Sequence, residues 1–162
     1  MVSESNLMQS MTTNNVHVIS ASKTIAAPPQ RIYSILADYR EGHRSILPRQ
    51  FTSMTVERGG MGAGTIIQFT MRLLGRTQHF RGFVSEPEPG RVLAETYETN
   101  GVVTSFIVDP GPASGLSQVT ITSDFPVRSG LAGIIERFFS TRLLHPIYLQ
   151  ELELLAKRSM EA

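Results

Sequence analysis

The chain contains no cysteine, which removes disulfides, thiolate nucleophiles and cysteine-bound metals together. That agrees with a reducing compartment, and a cytoplasmic location is expected. An excess of charge of either sign is also missing. Fifteen Lys and Arg against fourteen Asp and Glu leave a formal charge of +1, and no basic run of five or more residues compensates locally, so nucleic-acid binding is not expected. No apolar run approaches the roughly 18 to 20 residues of a membrane span, and stable membrane insertion is not expected either. The opening stretch MVSESNLMQSMTTNN has neither the basic region nor the apolar segment of a signal peptide. Histidines 17, 43, 79 and 145 show no short metal-ligand spacing, and the acidic residues form no obvious catalytic pair. Neither a metal nor a cofactor is expected.

What remains is an ordinary globular composition in 162 residues, 41% hydrophobic and 18% charged, enough for one domain with a sizeable core. Residues 1–15 are polar and aperiodic and read as a disordered terminus, leaving residues 16–158 as the single domain. The segment HVISASKTI suggests a first strand. APPQRIYSILADY reads as a short helix entered through Pro28 and Pro29, with Ile32, Ile35 and Leu36 on one face. EGHRSILPRQ reads as a broken helical turn. Strands follow: FTSMTVER; TIIQFTMRLL, where Ile67, Phe69, Met71 and Leu73 alternate with polar residues; and RTQHFRGFVSEPEPG, entered by a turn at Gly75. RVLAETYETN and GVVTSFIVDP form a predicted hairpin across Asn100 and Gly101, and LSQVTITSDF is the last strand. From Ser129, a reasonable N-cap, to about Lys157 runs a helix long enough to cross a sheet. Sequential strands joined by tight turns imply an antiparallel meander.

This layout resembles the START-like superfamily and its helix-grip fold, to which the polyketide cyclase/dehydratase and lipid-transport group belongs. The resemblance rests on IAAPPQRIYSILADY, GGMGAGTIIQF, VSEPEPGRVLAETY and the long terminal helix. It implies an α+β fold: a curved antiparallel β-sheet wrapped around a long C-terminal α-helix, with two short helices after the first strand. It also implies an apolar ligand cavity between sheet and helix. GGMGAG is not a dinucleotide loop, because that fingerprint needs a helix after it and a strand follows instead; it reads as a flexible turn near the cavity mouth.

Within the terminal helix, Ile134, Phe138, Thr141, His145, Tyr148, Leu152 and Leu155 advance by alternating four and three and so share a stripe. The expectation is that this stripe faces the cavity, which would satisfy Thr141 and His145 with water or ligand. Pro146 should bend the helix there. Phe69, Met71, Phe80, Tyr97 and Phe106 are candidate cavity-wall residues, with Phe138, Thr141 and Tyr148 from the helix. Glu95 shares a strand face with Tyr97 and can point inward. Arg40, His43 and Arg44 cluster beside the expected mouth and can meet an acidic group, or form an exposed face. Two readings follow from the resemblance. One is a monomeric or dimeric module that binds or transports a small hydrophobic ligand such as a lipid, a quinone or an aromatic metabolite. The other is an aromatase/cyclase-like enzyme with His145 as general acid/base and Tyr97 or Arg81 polarising a carbonyl. A protein-interaction domain is a third.

Overall fold

The computed structural model describes residues 16–127 and 130–161; the disordered terminus expected before Val16 and the N-cap expected at Ser129 lie outside the described residues. Period-two runs of β-branched and aromatic residues become strands, and the 3.6-residue patterns become helices. β1 (Val16–Ile25) leads into α1 (Pro29–Ala37) and α2 (Gly42–Ser45). Then come β2 (Phe51–Arg58), β3 (Ile66–Leu73), β4 (Arg76–Glu88), β5 (Val92–Tyr97), β6 (Val103–Pro110) and β7 (Ser117–Pro126). The chain closes on α3 (Leu131–Met160).

All seven strands join one antiparallel sheet in the order β1-β7-β6-β5-β4-β3-β2. This order places β1 and β2, which are consecutive strands in sequence, at opposite edges. α1 and α2 therefore have to carry the chain from one edge to the other, and the remaining strands return as a meander. Bulges in β2 and β4 add local bend and twist, the usual route to a curved sheet.

On β6 and β7 the alternation is clear: Phe106, Val108, Val119 and Ile121 are buried inward, while Thr120 and Gln118 bond Ser22 and Thr24 of β1 outside at 2.7 Å. α1 enters through Pro28 with extended backbone and buries Ile32, Ile35 and Leu36 as its spacing requires. The 30 residues of α3, at about 1.5 Å each, reach roughly 45 Å, and Leu152 and Leu155 are fully buried at its C-terminal half. Burying each such side chain contributes about 1.5–3 kcal/mol.

Two turns differ from expectation. The β5–β6 connection is not a two-residue hairpin. Gly101 donates to the Tyr97 carbonyl and Tyr97 to that of Val102, while Asn100 Oδ1 accepts from the Val102 amide, so Asn100 acts through its side chain and only Gly101 needs a positive φ. The tight two-residue turn is instead Leu74–Gly75, with φ of 49° and 76° between the paired Leu73 and Arg76. The glycine-rich segment is neither loose nor at the cavity. Tyr39 donates to the Gly60 carbonyl, Gly62 to that of Ala37, and Ala63 to Glu86 Oε2, which pins the loop to the end of α1.

Candidate functional site

Sheet and α3 do not close completely on each other; between them lies a cavity of about 590 Å³. Its sheet wall is aromatic and thioether-rich: Met54, Phe69, Met71 and Phe80, with Phe69 stacked on Phe80 at 4.9 Å and edge-on to Tyr97 at 5.3 Å. Leu143, Leu144 and Ile147 supply the helix wall. Lining residues at one end, Arg76, Gln78, Asn100 and Glu136, are exposed, so the cavity opens there. At the other end, His43, Glu95 and Glu151 are only 2%, 4% and 4% exposed.

That buried end is built from three elements. Glu95 sits on β5 and accepts hydrogen bonds from Tyr39 at 2.6 Å and from Tyr97 at 2.5 Å. Two phenol donors suit an ionised carboxylate. Glu151 projects from α3, one turn beyond Ile147 and Tyr148. His43 enters from α2, stacked on Tyr39 at 4.5 Å and edge-on to Phe106 at 5.0 Å. Its Nδ1 lies 2.7 Å from the Leu36 carbonyl, which can only accept, so Nδ1 carries the proton. Nε2 is thereby turned to the carboxyls, 3.6 Å from Glu95 and 3.8 Å from Glu151.

The placement of His43 depends on a turn with little slack. Asp38 accepts from the amides of Arg40, Glu41 and Gly42, and its carbonyl accepts from the His43 amide at 2.7 Å. Gly42 packs so close to α1 that a Cβ there would meet the Ile35 carbonyl oxygen at 2.5 Å.

Among the described residues no protein group donates a hydrogen bond to Glu151. Burial, and then the charge of Glu95, push its carboxyl well above the ordinary range, which favours its protonated form. The same two causes raise the Tyr39 and Tyr97 phenols, and burial raises that of Tyr148 to about 12. Tyr148 continues the polar chain: its hydroxyl is 2.6 Å from Ser123 Oγ, which is 2.6 Å from Thr104 Oγ1. Helix and sheet are thus joined by hydrogen bonds inside an otherwise apolar box.

Of the residues singled out from sequence, Phe69, Met71, Phe80, Glu95, Tyr97, Phe106 and Tyr148 line this cavity. Phe138, Thr141 and His145 do not; they line a surface groove with His17, Arg137 and Arg142, and His17 Nε2 lies 2.8 Å from Thr141 Oγ1. The reason is rotational. At about 100° per residue, the stripe from Ile134 to Leu155 lies roughly a third of a turn from the face carrying Ser140, Leu143, Ile147 and Glu151. Its buried members, Tyr148, Leu152 and Leu155, lie in the C-terminal half of α3, and Ile134 is 60% exposed. His145 is therefore not placed to act in the cavity. Arg81 is likewise outside, paired with Glu57 at 2.7 Å and Glu98 at 3.2 Å. Glu86, also away from the cavity, accepts from the Tyr33 hydroxyl at 2.6 Å.

The residues missed were Glu151 and the role of His43. A glutamate three residues after Tyr148 and four after Ile147, on a face otherwise apolar, was the available signal. Arg44 remains exposed, whereas its neighbour His43 is among the most buried polar residues. No group of three or more potential metal ligands is found among the described residues, and no helix there is long and apolar enough to cross a membrane.

A curved antiparallel sheet gripping a terminal helix around such a cavity is the helix-grip fold, and a START superfamily protein of Mycobacterium smegmatis shares it at 17% identity with a TM-score of 0.61, covering 88% of this chain and 93% of that one. More narrowly, residues 16–159 match the family described as polyketide cyclase / dehydrase and lipid transport, and the chain belongs to that family. Solved structures share the fold at low identity. KanY, determined by NMR, is 23% identical with a TM-score of 0.76, the match covering 90% of this chain and 97% of that one. The Zhui aromatase/cyclase of Streptomyces sp. R1128 is 16% identical with a TM-score of 0.70, covering 89% and 93%. Norcoclaurine synthase of Thalictrum flavum is 15% identical with a TM-score of 0.69, covering 90% and 94%. Comparison with curated protein sequences gives no match.

Proposed function

We propose that this protein binds a small, largely apolar molecule in the cavity between sheet and helix, with the ligand's polar group directed to Glu95, His43 and Glu151. One observation carries this reading: about 590 Å³ of mostly apolar space runs from an exposed rim to a buried carboxyl that no donor among the described residues satisfies. The volume falls within the roughly 300–1,000 Å³ of small-molecule sites. A ligand burying about 200 Å² of apolar surface would gain about 5 kcal/mol from desolvation. Membership of a family whose description includes lipid transport agrees with it. Native mass spectrometry of freshly purified protein, followed by denaturing extraction, is the test. A reproducible apolar adduct is expected; a bare chain that also ignores a panel of apolar probes would count against the reading.

Acid–base catalysis is a second reading, favoured by the placement of one imidazole within 4 Å of two carboxyls at the cavity end. Glu151 would protonate a carbonyl oxygen and His43 Nε2 would remove the adjacent carbon-bound proton, the pairing required for aldol closure and loss of water. Fold relatives named as an aromatase/cyclase and a synthase agree with it. In this reading Glu151→Gln lowers kcat on a poly-β-keto mimic while the KM changes little. Equal losses in turnover and binding would return both residues to a binding role.

A further inference from the structure

The buried end of the cavity gathers more carboxyl groups than cationic ones. Facing Glu151 there are Glu95 and Tyr97 from β5, His43 from α2, Tyr39 from the α1–α2 connection and Tyr148 from α3 itself. Among the described residues no lysine or arginine joins them; Arg76, also in the lining, belongs to the exposed rim. Glu95 accepts from two phenol hydroxyls. Among the described residues no protein donor satisfies Glu151, though it is 96% buried and lines the cavity.

Building on the ligand-binding reading above, we propose that this end receives the ammonium group of a lipophilic amine, with Glu151 as its counter-ion. An ammonium brings both a positive charge and N–H donors, and charge-assisted hydrogen bonds are about twice as strong as neutral ones. Phe69, Phe80 and Phe106 belong to the same lining, and aromatic rings near a cation favour it further. A ligand carboxylate would instead meet Glu95, and like charges in such a site are costly. A neutral alcohol or ketone finds hydrogen bonds but leaves the charge balance unchanged.

Without a ligand, burial and the charge of Glu95 favour the protonated Glu151 carboxyl. Binding a free ammonium ion then gives R–NH3⁺ held against Glu151–COO⁻ and one proton released to solvent, with no bond to carbon made or broken. Amine affinity should therefore rise with pH below the pKa of the free amine, up to about tenfold per unit, whereas that of a neutral isostere should stay level.

Isothermal titration of the full chain with 4-phenylbutylamine, 4-phenylbutan-1-ol and 4-phenylbutanoate tests this, in buffers of different ionisation enthalpy. The amine should bind at least about tenfold more tightly than the alcohol and release close to one proton, with the carboxylate weakest. In Glu151→Gln the amine should lose that advantage over the alcohol, with circular dichroism and a thermal melt reporting that the variant is folded. Proton release by the unaltered protein tests the idea independently of any variant. Equal binding of amine and alcohol, no proton release, or an amine preference surviving in Glu151→Gln overturns the amine assignment and leaves the cavity-binding reading standing. Failure of all three probes overturns the cavity reading and the assignment with it.

Discussion

Glu95 of the sheet and Glu151 of the helix share one imidazole, each presenting Oε1 to His43 Nε2, at 3.6 and 3.8 Å. Their environments separate their roles: among the described residues Glu95 has two hydroxyl donors and Glu151 has none. Because the folded-state pKa of Glu151 is raised above the ordinary value of 4.5 by burial and by Glu95, the native state holds a proton that the unfolded chain gives up. Stability is then fullest below about 4.5 and falls as pH rises toward the folded pKa. Glu151→Gln removes this dependence. Thermal melts should show the variant gaining on the parent between pH 5 and pH 8; parallel curves would mean that Glu151 is ionised in the native protein.

The donors to Glu95 should be energetically coupled to it. Tyr97→Phe and Tyr39→Phe each remove a charge-assisted hydrogen bond and should cost about 1.5–3 kcal/mol in denaturant unfolding. In a Glu95→Gln background the same changes should cost less, because a neutral acceptor loses less. Equal losses in both backgrounds would assign the cost to packing of the rings.

Away from the cavity, Tyr33 and Glu86 clamp α1 to the glycine-rich loop. The Tyr33 hydroxyl and then the Ala63 amide hold the Glu86 carboxyl below its usual range, and burial together with Glu86 raises the Tyr33 phenol to about 12. A depressed carboxylate stabilises the fold above the unfolded value of about 4.5, and the contribution is lost as pH falls through the folded value. Tyr33→Phe should thus lower Tm more at pH 7 than at pH 3.

The two flanks of α3 give a further contrast. Leu152→Ala empties a fully buried site and should cost about 2–5 kcal/mol. Ile134→Ala, on the same stripe but exposed, should stay within about 0.5 kcal/mol. Comparable losses would mean that the N-terminal half of the helix packs inward in solution.

Ligand binding should respond to Phe106 and not to His145. Phe106→Trp adds volume to the lining and should weaken probe binding more than it weakens folding. His145→Ala, at the outer groove, should leave cavity affinity within about twofold, as expected for a distant, independent site. A large effect of His145→Ala would bring that residue back into the site.

The strands were readable because their information is local. Period-two alternation and the turn at Gly75 determine where β3 begins, ends and faces, and the same alternation correctly puts Glu95 with Tyr97. Rotation of α3 was not readable. Its sequence offers two partly apolar faces, and a stripe with Phe138 and Tyr148 looks as convincing as the one with Leu144, Ile147 and Glu151. The choice depends on β1 lying beneath one flank, a long-range contact. His43 was harder still, since a four-residue helix has no periodicity of its own and Asp38 and Ile35 fix where it points.

The crossing pair α1–α2 has a consequence for substitution. Asp38 holds the turn, position 42 cannot gain a methyl without striking Ile35, and His43 follows immediately. The rim, by contrast, is made of exposed residues at strand ends and turns, Arg76, Gln78 and Asn100. Substitutions at the rim therefore meet few constraints from neighbouring groups. The position of His43 is interlocked with its neighbours, and moving it would require several coordinated substitutions at once.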